Sequence, residues 1–367
     1  MIKTDCLIVG AGFSGATIAE RMAAGLNRKV LVLEKRDHIG GNAYDKPDSS
    51  GVLIHPYGPH IFHTNARRIW EYLSRFTEWR PYEHKVQAQI DGQLVPVPFN
   101  LNSLHALFPG DQAERLEQLL IEQYGEGARV PILKMRESAS EDLQELADYV
   151  YRKVFLGYTT KQWGLRPEDL SPSVTARVPV LISRDDRYFQ DTYQAMPRDG
   201  YTAMFERMLD HPNITVRTGE DFFGSKDKIE AGQIFYTGPI DAYYDYKFGR
   251  LPYRSLDFEH ESLSQEQYQP VGTVNYPNDH DYTRITEFKY ITGQQHDKTA
   301  IVREYPTAEG DPYYPVPRPE NEELYKRYES LAAQEENVTF VGRLANYRYY
   351  NMDQVVAAAL ARCGVSG

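Results

Sequence analysis

The chain has 367 residues, enough for two or three domains with a full-sized core, and carries 41 Lys and Arg against 52 Asp and Glu, a net charge of −11. This acidic balance, with no Lys/Arg-rich run, excludes a nucleic-acid partner, and no segment approaches the roughly 18 apolar residues of a membrane span. The two cysteines, Cys6 and Cys363, belong to no CxxC or Cys/His cluster, so we expect no metal site and a reducing, cytoplasmic location.

Residues 5 to 34 predict a βαβ unit that holds a dinucleotide. A short apolar strand leads into Gly10, Gly12 and Gly15, a helical pattern follows, and a buried strand covers Val30–Glu34. Gly10 permits a tight turn, Gly12 lets backbone N–H groups reach a pyrophosphate, and Gly15 allows the helix to pack on the strand. The agreement of strand, glycines and helix favours a nucleotide site over a merely structural glycine turn.

Features further along the chain favour FAD over a nicotinamide dinucleotide. Glu34 lies nineteen residues after Gly15, where it could accept a hydrogen bond from a ribose hydroxyl. The Gly40-Gly41 pair suits a second backbone approach to a long cofactor. The stretches Tyr236–Pro239 and Val341–Arg343 fit an extended flavin, and the helix after the second could favour negative charge on a reduced isoalloxazine. No second GxGxxG is present for a nicotinamide nucleotide.

The middle of the chain predicts a hairpin, then helices, then a loop. Val86, Ala88 and Ile90 alternate into the turn Asp91-Gly92 and a second strand to Val97. Helical periodicity begins at Leu104, and Ser138-x-x-Glu141 predicts a capping box. Residues 157 to 174 contain two Gly and two Pro with little periodicity, so we expect a mobile loop.

The remaining elements complete an α/β fold. Strands are expected around Val271 to Tyr276, Tyr282 to Ile291, Thr299 to Tyr305 and Val338 to Gly342, followed by a helix from Met352 to Ala361. We therefore predict a discontinuous Rossmann-like FAD-binding domain with an inserted helical domain and an antiparallel β-sheet domain. The expected boundaries are 1–80, 195–240 and 318–367 for the FAD domain, 100–170 for the helical domain, and 81–99, 171–194 and 241–317 for the sheet domain.

Several polar and aromatic residues are candidates for substrate contacts, each with a simpler alternative. The Gly-Pro turn before His60 and His63 could bring both rings to a flavin, or they could be hydrogen-bonded core histidines. Trp163 could cover a base or sugar, or it could simply pack. Arg177 and Arg284 could pair with an anionic substrate, because guanidinium forks match phosphate oxygens, or each could form a surface ion pair.

A set of motifs resembles the bacterial UDP-galactopyranose mutases nearly end to end and in order: EKRDHIGGNAY, YGPHIFHT, GYTTKQWG, IFYTGPIDAYYDY, YTRITE, EYP, DPYYPV and GRLANYRYYNMDQV. The resemblance implies a three-domain homodimeric flavoenzyme that interconverts UDP-galactopyranose and UDP-galactofuranose. It implies FAD in its reduced form, with N5 as nucleophile at the anomeric carbon and no net redox change. An external reductant such as NADPH would prime the flavin.

The same resemblance implies roles for individual residues. Arg177 and Arg284 match the arginines that bind the diphosphate, and His60 and His63 match the histidine loop beside the flavin and galactose. The implied substrate-binding residues are Phe155, Tyr158, Thr159 and Asn275 at the uridine end, Tyr188, Tyr314 and Tyr349 around the diphosphate, Trp163 on the loop, Asn351 and Asp353 near the flavin, and His84 at a position where the family varies. The implied cofactor-binding residues are Gly10, Gly12, Phe13, Ser14, Gly15, Glu34, Lys35, Gly41, Asn42, His60, Thr237, Gly238, Gly342, Arg343 and Met352.

Two other classes share the glycine fingerprint. A flavin oxidoreductase of the amine-oxidase or desaturase kind would be expected to show apolar or amine-binding pockets, not paired arginines with many tyrosines. A protein of the GDP-dissociation-inhibitor type would act by binding partners. Bound yellow flavin on purification would count against that second class.

Overall fold

The computed structural model describes residues 1–171 and 178–364. No helix in these two ranges is both long enough and apolar enough to cross a bilayer. Its α-helices are α1 (Phe13–Glu20), α2 (Arg67–Leu73), α3 (Leu101–Leu107), α4 (Gly110–Tyr124), α5 (Ile132–Met135), α6 (Glu141–Val150), α7 (Gly157–Trp163), α8 (Tyr201–Leu209), α9 (Phe222–Ser225), α10 (Ile240–Tyr243), α11 (Phe288–Thr292), α12 (Pro319–Ala332) and α13 (Met352–Arg362).

The strands of the described ranges fall into two main sheets and three small ones. They are β1 (Ile2–Val9), β2 (Val30–Glu34), β3 (Lys46–Pro47), β4 (Leu53–Ile54), β5 (Phe62–Thr64), β6 (Trp79–Pro81), β7 (Val86–Ile90), β8 (Gln93–Val97), β9 (Arg129–Val130), β10 (Val180–Leu181), β11 (Tyr193–Pro197), β12 (Ile214–Thr218), β13 (Ile229–Tyr236), β14 (Tyr253–Leu263), β15 (Thr273–Asn275), β16 (Arg284–Glu287), β17 (Thr299–Thr307), β18 (Tyr314–Pro315) and β19 (Val338–Phe340).

The first main sheet is parallel, with strand order β12-β2-β1-β13-β19. Every residue of β2 is buried, as expected for an apolar strand covered on both faces. All eight residues of α1 are buried as well, because this helix packs against α8 and α13 as well as the sheet. The parallel order and the βαβ unit at its centre confirm the expected Rossmann-like α/β class.

The second main sheet has seven strands in the order β18-β14-β17-β16-β15-β7-β8. Its pairs are antiparallel except for β15 with β7. The predicted hairpin is confirmed, since Ile90 pairs with Gln93 around Asp91 and Gly92. Both turn residues have positive φ, 50° and 81°, which gives the twist that a two-residue hairpin requires.

Helices α3 to α6 share an apolar core with β7 and β8. Helix α3 begins at Leu101, before the periodicity visible from Leu104, because the Asn100 side chain accepts hydrogen bonds from the N–H groups of Asn102 and Ser103. In return the Asn100 N–H donates to Ser103 Oγ. The domain boundaries expected from the sequence remain a prediction.

The predicted capping box at Ser138 and Glu141 is wrong. Helix α6 begins at Glu141, with Ser140 at its N-cap position. The Ser138 hydroxyl instead accepts from the Ser140 N–H at 3.2 Å and donates to Gln123 Oε1 at 2.9 Å. A tertiary partner on α4 has therefore displaced the local capping contact.

The expectation of a loop over residues 157 to 174 is wrong for its first part. A π-helical turn, Tyr151–Leu156, carries α6 directly into α7 at Gly157–Trp163, and a 3₁₀ turn covers Pro167–Asp169. Because α7 is mostly polar, it showed no apolar periodicity in the sequence. Residues 172–177 lie outside the described ranges.

One expected strand, Tyr282 to Ile291, is also wrong in its second half. The strand ends at Glu287, and Phe288–Thr292 forms the short helix α11. Phe288 is fully buried, and Gly293, at φ +70°, ends the helix in the left-handed region. A short apolar run is ambiguous between strand and helix, and here packing decides for the helix.

Candidate functional site

A cavity of about 770 Å³ opens at the carboxyl ends of β1, β2 and β13, the edge where parallel sheets bind nucleotides. Fourteen of the fifteen residues expected to hold a cofactor line it: Gly10, Gly12, Phe13, Ser14, Glu34, Lys35, Gly41, Asn42, His60, Thr237, Gly238, Gly342, Arg343 and Met352. The fifteenth, Gly15, packs against the Gly10 carbonyl instead. Their role in binding remains a prediction, but the structure brings the set together.

Close backbone contacts explain why glycine stands at these positions. A Cβ on Gly15 would lie 1.8 Å from the carbonyl oxygen of Gly10. Gly12 and Gly41 face each other, since a Cβ on Gly41 would lie 3.0 Å from the Gly12 Cα. The two glycine segments therefore form a narrow backbone cradle, which suits the close approach of a diphosphate to N–H groups.

Glu34 holds the glycine turn from the neighbouring strand. Its Oε2 accepts from the Ala11 N–H at 2.9 Å, and its Oε1 accepts from the Arg36 N–H at 3.0 Å. Each carboxylate oxygen has a second lone pair, so the expected hydrogen bond from a ribose hydroxyl is still available. Glu34 thus has a structural role that the sequence did not indicate.

His60 lines the cavity as a neutral acceptor. Its Nδ1 lies 2.9 Å from the carbonyl oxygen of Gly58, which can only accept, so Nδ1 carries the proton and Nε2 is left as an acceptor. The His60 N–H donates to Nδ1 of His55 at 3.1 Å. Burial lowers the pKa of both imidazoles to about 3. His60 is therefore neutral near pH 7, where its Nε2 has no proton to donate.

Arg284 and Glu304 form a buried bidentate ion pair between β16 and β17. The Nε and Nη2 groups of Arg284 donate to the two carboxylate oxygens at 2.7 and 2.8 Å. The Glu304 side chain is 0% exposed, whereas that of Arg284 is 26% exposed. Although burial disfavours its charge, the carboxylate raises the pKa of Arg284 well above its usual range. The surface ion pair considered as an alternative is therefore excluded for Arg284.

Trp163, Tyr314 and Tyr349 form an aromatic cluster beside this pair. The ring of Trp163 lies 6.1 Å from that of Tyr314 and 5.9 Å from that of Tyr349, and the two tyrosine rings are 5.1 Å apart. The guanidinium of Arg343 lies over both tyrosine rings. Since Arg343 also lines the cavity, the aromatic cluster adjoins the cofactor cavity.

His63 and His84 lie near each other but away from the cavity lining. His63 Nδ1 lies 2.8 Å from Asp191 Oδ2, and its ring stacks on Phe189 at 3.7 Å. His84 is 4% exposed, and its Nδ1 lies 3.0 Å from the Tyr82 hydroxyl. Burial, with smaller effects of Arg284 and His63, lowers the pKa of His84 to about 3. Both histidines are thus fixed by side-chain partners.

The other predicted substrate residues are distributed around this region. Asn275 pairs with Arg284 across β15 and β16, and Tyr158 lies near enough to Arg284 to affect its pKa. Phe155 belongs to the helical core, and Tyr188 packs against that core. Thr159 is half-buried on α7. Asn351 caps α13, and Asp353 Oδ2 accepts from the Thr64 hydroxyl at 2.8 Å. Arg177 lies outside the described residues.

Sequence reasoning missed the partners that hold the predicted residues. Glu304 stands in the EYP motif, but nothing local indicates that it pairs with Arg284. Asp191 and Tyr82, which contact His63 and His84, belong to no motif. For Glu304, strand pairing was the available signal, because cross-strand neighbours on one face of a sheet interact.

Comparison with known proteins agrees with the motifs. A family model for UDP-galactopyranose mutase matches residues 153–349, and one for an NAD(P)-binding Rossmann-like domain matches residues 8–76. A probable UDP-galactopyranose mutase of Klebsiella pneumoniae is 40% identical, over 98% of this chain and 94% of its own length. A dTDP-fucopyranose mutase of Escherichia coli is 38% identical, over 96% of each chain.

The fold is also found among solved structures. A reduced UDP-galactopyranose mutase matches with a TM-score of 0.76, covering 99% of this chain and 93% of that chain. The two sequences are only 15% identical in that comparison, so this match shows the shared fold alone.

We predict that Gly15→Ala destabilises the protein by about 3 kcal/mol and prevents binding of the expected dinucleotide cofactor, because its methyl group would overlap the Gly10 carbonyl. Urea unfolding measures the loss of stability, and the ultraviolet absorbance of dinucleotide released on denaturation measures how much was bound. Gly110→Ala is the control, since a Cβ at Gly110 would have no neighbouring atom within 4 Å. If Gly15→Ala bound as much dinucleotide as the unmodified protein, the close contact between Gly15 and the Gly10 carbonyl would be contradicted.

We also predict that acid destabilises the protein through three histidines that the fold keeps neutral. His55, His60 and His84 have pKa values of about 3 when folded against 6.5 otherwise. Between these values the unfolded chain binds more protons, so the free energy of unfolding falls as pH falls. His55→Gln keeps an acceptor for the His60 N–H and should reduce the slope of that free energy against pH by about one proton. If the free energy of unfolding of His55→Gln had the same slope between pH 6 and 4 as that of the unmodified protein, the effect of burial on His55 would be refuted.

Proposed function

Because the chain belongs to the UDP-galactopyranose mutase family, we propose that it interconverts UDP-galactopyranose and UDP-galactofuranose. The chain is thus a flavin-dependent isomerase. The observation that carries the substrate assignment is the Arg284–Glu304 pair beside the aromatic cluster and next to the cofactor cavity. A guanidinium held rigidly beside aromatic rings suits a nucleotide diphosphate attached to a sugar.

FAD is the proposed cofactor, and the cavity fits it. The cradle of Gly12 and Gly41 accepts a diphosphate against the N-terminus of α1, and Glu34 is available to a ribose hydroxyl. His60, Arg343 and Met352 lie in the same cavity. When bound in its reduced form, FAD would supply a nucleophilic nitrogen, N5, for the anomeric carbon, with no net redox change.

Arg284 would hold the diphosphate while its bond to the sugar is broken and remade. Two of its five N–H donors bond Glu304, which leaves donors for phosphate oxygens. Because Glu304 also neutralises part of the charge, its main effect is to fix the plane of the guanidinium. Arg177 is the second proposed diphosphate ligand, and that role rests on the family resemblance.

The remaining contacts would orient the nucleotide sugar and exclude water. We assign Trp163, Tyr314 and Tyr349 to the diphosphate and sugar, since their rings form one cluster. Phe155, Tyr158, Thr159 and Asn275 are assigned to the uridine end, although Phe155, only 7% exposed, can offer no more than an edge. His60 would accept a hydrogen bond through Nε2 and would not act as an acid.

Two further properties are proposed on the resemblance alone, a homodimer and priming of the flavin by an external reductant such as NADPH. A cytoplasmic location is proposed from the two unclustered cysteines. Size-exclusion chromatography with light scattering, and flavin bleaching by NADPH, address the first two.

The test is incubation of the purified protein with UDP-galactofuranose and dithionite, with products separated by chromatography. The proposal requires UDP-galactopyranose to form without stoichiometric consumption of reductant. The relative named dTDP-fucopyranose mutase supplies the competing substrate, dTDP-fucofuranose, for a parallel incubation. If the protein converted only dTDP-fucofuranose, that compound would be the substrate in place of UDP-galactofuranose. Consumption of one reductant per product would instead indicate an oxidoreductase.

We predict that Arg284→Lys lowers kcat/KM about 100-fold while flavin stays bound, because Lys keeps the charge near Glu304 but loses the planar fork. Arg303→Lys is the matched control. Arg303 lies on the adjacent strand and pairs with Glu261 at 2.9 Å. Its register partner is Ile285 rather than Arg284, so activity should stay close to that of the unmodified enzyme. Near-normal turnover by reduced Arg284→Lys would refute the assignment.

A further inference from the structure

Helix α7 carries several proposed substrate contacts on a short polar segment. Tyr158, Thr159 and Trp163 all lie within Gly157–Trp163. The π-helical turn joins the start of α7 to α6, but the polar residues of α7 offer little apolar surface to bury. Contacts from other elements must therefore hold its C-terminal end in place.

Arg254, on β14, binds the C-terminal end of α7. Its Nε donates to the carbonyl oxygen of Gln162 at 2.9 Å, and its Nη2 donates to that of Lys161 at 3.1 Å. These carbonyls belong to the last turn, where the helix has no N–H partners of its own and where a positive charge is favourable. One planar fork thus satisfies two acceptors next to Trp163.

The segment after β15 also holds α7. Lys161 Nζ donates to the carbonyl oxygens of Tyr276 at 2.8 Å and Asp279 at 3.0 Å. Gly157 lies so close to this segment that a Cβ there would stand 2.3 Å from the Pro277 carbonyl oxygen. The helix is therefore fixed between two parts of the seven-stranded sheet region.

The charge of Arg254 is directed to the helix and not to a carboxylate. Burial lowers its pKa, and no ion pair of Arg254 occurs within residues 1–171 and 178–364. Arg254 also pairs in register with Tyr314 on β18, and Tyr314 contacts Trp163. The same strand position therefore lies beside both the helix end and the aromatic cluster.

We propose that Arg254 is a positioning residue, which acts through the last-turn carbonyls of α7 to place Trp163 and Tyr158 against the nucleotide sugar. This inference rests on the proposed function for its consequence in catalysis. It adds a requirement that no motif indicates: affinity for the nucleotide sugar depends on a guanidinium that does not touch it.

The test replaces Arg254 with Met, which keeps the aliphatic packing and removes the fork. We expect KM for UDP-galactofuranose to rise about tenfold with kcat nearly unchanged. Flavin content and the thermal midpoint should also stay close to their original values. Without substrate, tryptic cleavage after Lys161 and Arg166, followed by mass spectrometry, should become faster, since a released helix opens locally. Arg254→Lys should show a smaller rise in KM and a smaller increase in tryptic cleavage than Arg254→Met.

Arg207→Met is the matched control. Arg207 likewise donates to a backbone carbonyl, that of Phe76, but on the exposed surface of α8, so neither KM nor tryptic cleavage should change. Unchanged KM and cleavage in Arg254→Met would overturn the proposal, as would a loss of flavin and thermal stability without a change in KM. If the unmodified protein fails to convert the nucleotide sugar, the proposed function fails, while the tryptic measurement still decides whether Arg254 holds α7.

Discussion

The contact between Gly15 and the carbonyl oxygen of Gly10 is the constraint on which the rest of the structure depends. It places α1 directly on β1, so the helix is buried along its whole length and its N-terminus opens into the cavity. Helices α8 and α13 then pack on α1. The same close approach that makes a core helix thus makes a site for a diphosphate.

The rest of the site is assembled around this cradle from distant segments. The parallel sheet supplies the cavity, the seven-stranded sheet supplies Arg284 and Glu304, and the helical segment supplies Trp163. Among its ionisable groups, Arg284 is paired with Glu304, and His60 and His84 are neutral. These groups therefore avoid the cost of an isolated buried charge.

In the proposed reaction, the cofactor and the protein have different roles. The cofactor would provide the reactive atom, and the protein would keep a negatively charged leaving group in place until it is needed again. Such retention needs rigid donors and exclusion of water more than it needs acid or base catalysis. The ion pair of Arg284, the aromatic cluster and the docked helix α7 meet these needs with parts from β16, β17, β18 and α7.

The sequence by itself determined the α/β class, the βαβ unit and the glycines of the cradle, because glycine spacing and strand periodicity are local properties. It also showed the family, through motifs preserved in order. Tertiary structure decided that residues 157–163 form a helix, that Phe288–Thr292 leaves the sheet, and that Glu304 fixes Arg284. These features depend on hydrogen bonds and packing between segments far apart in the chain, whose energies no local pattern contains.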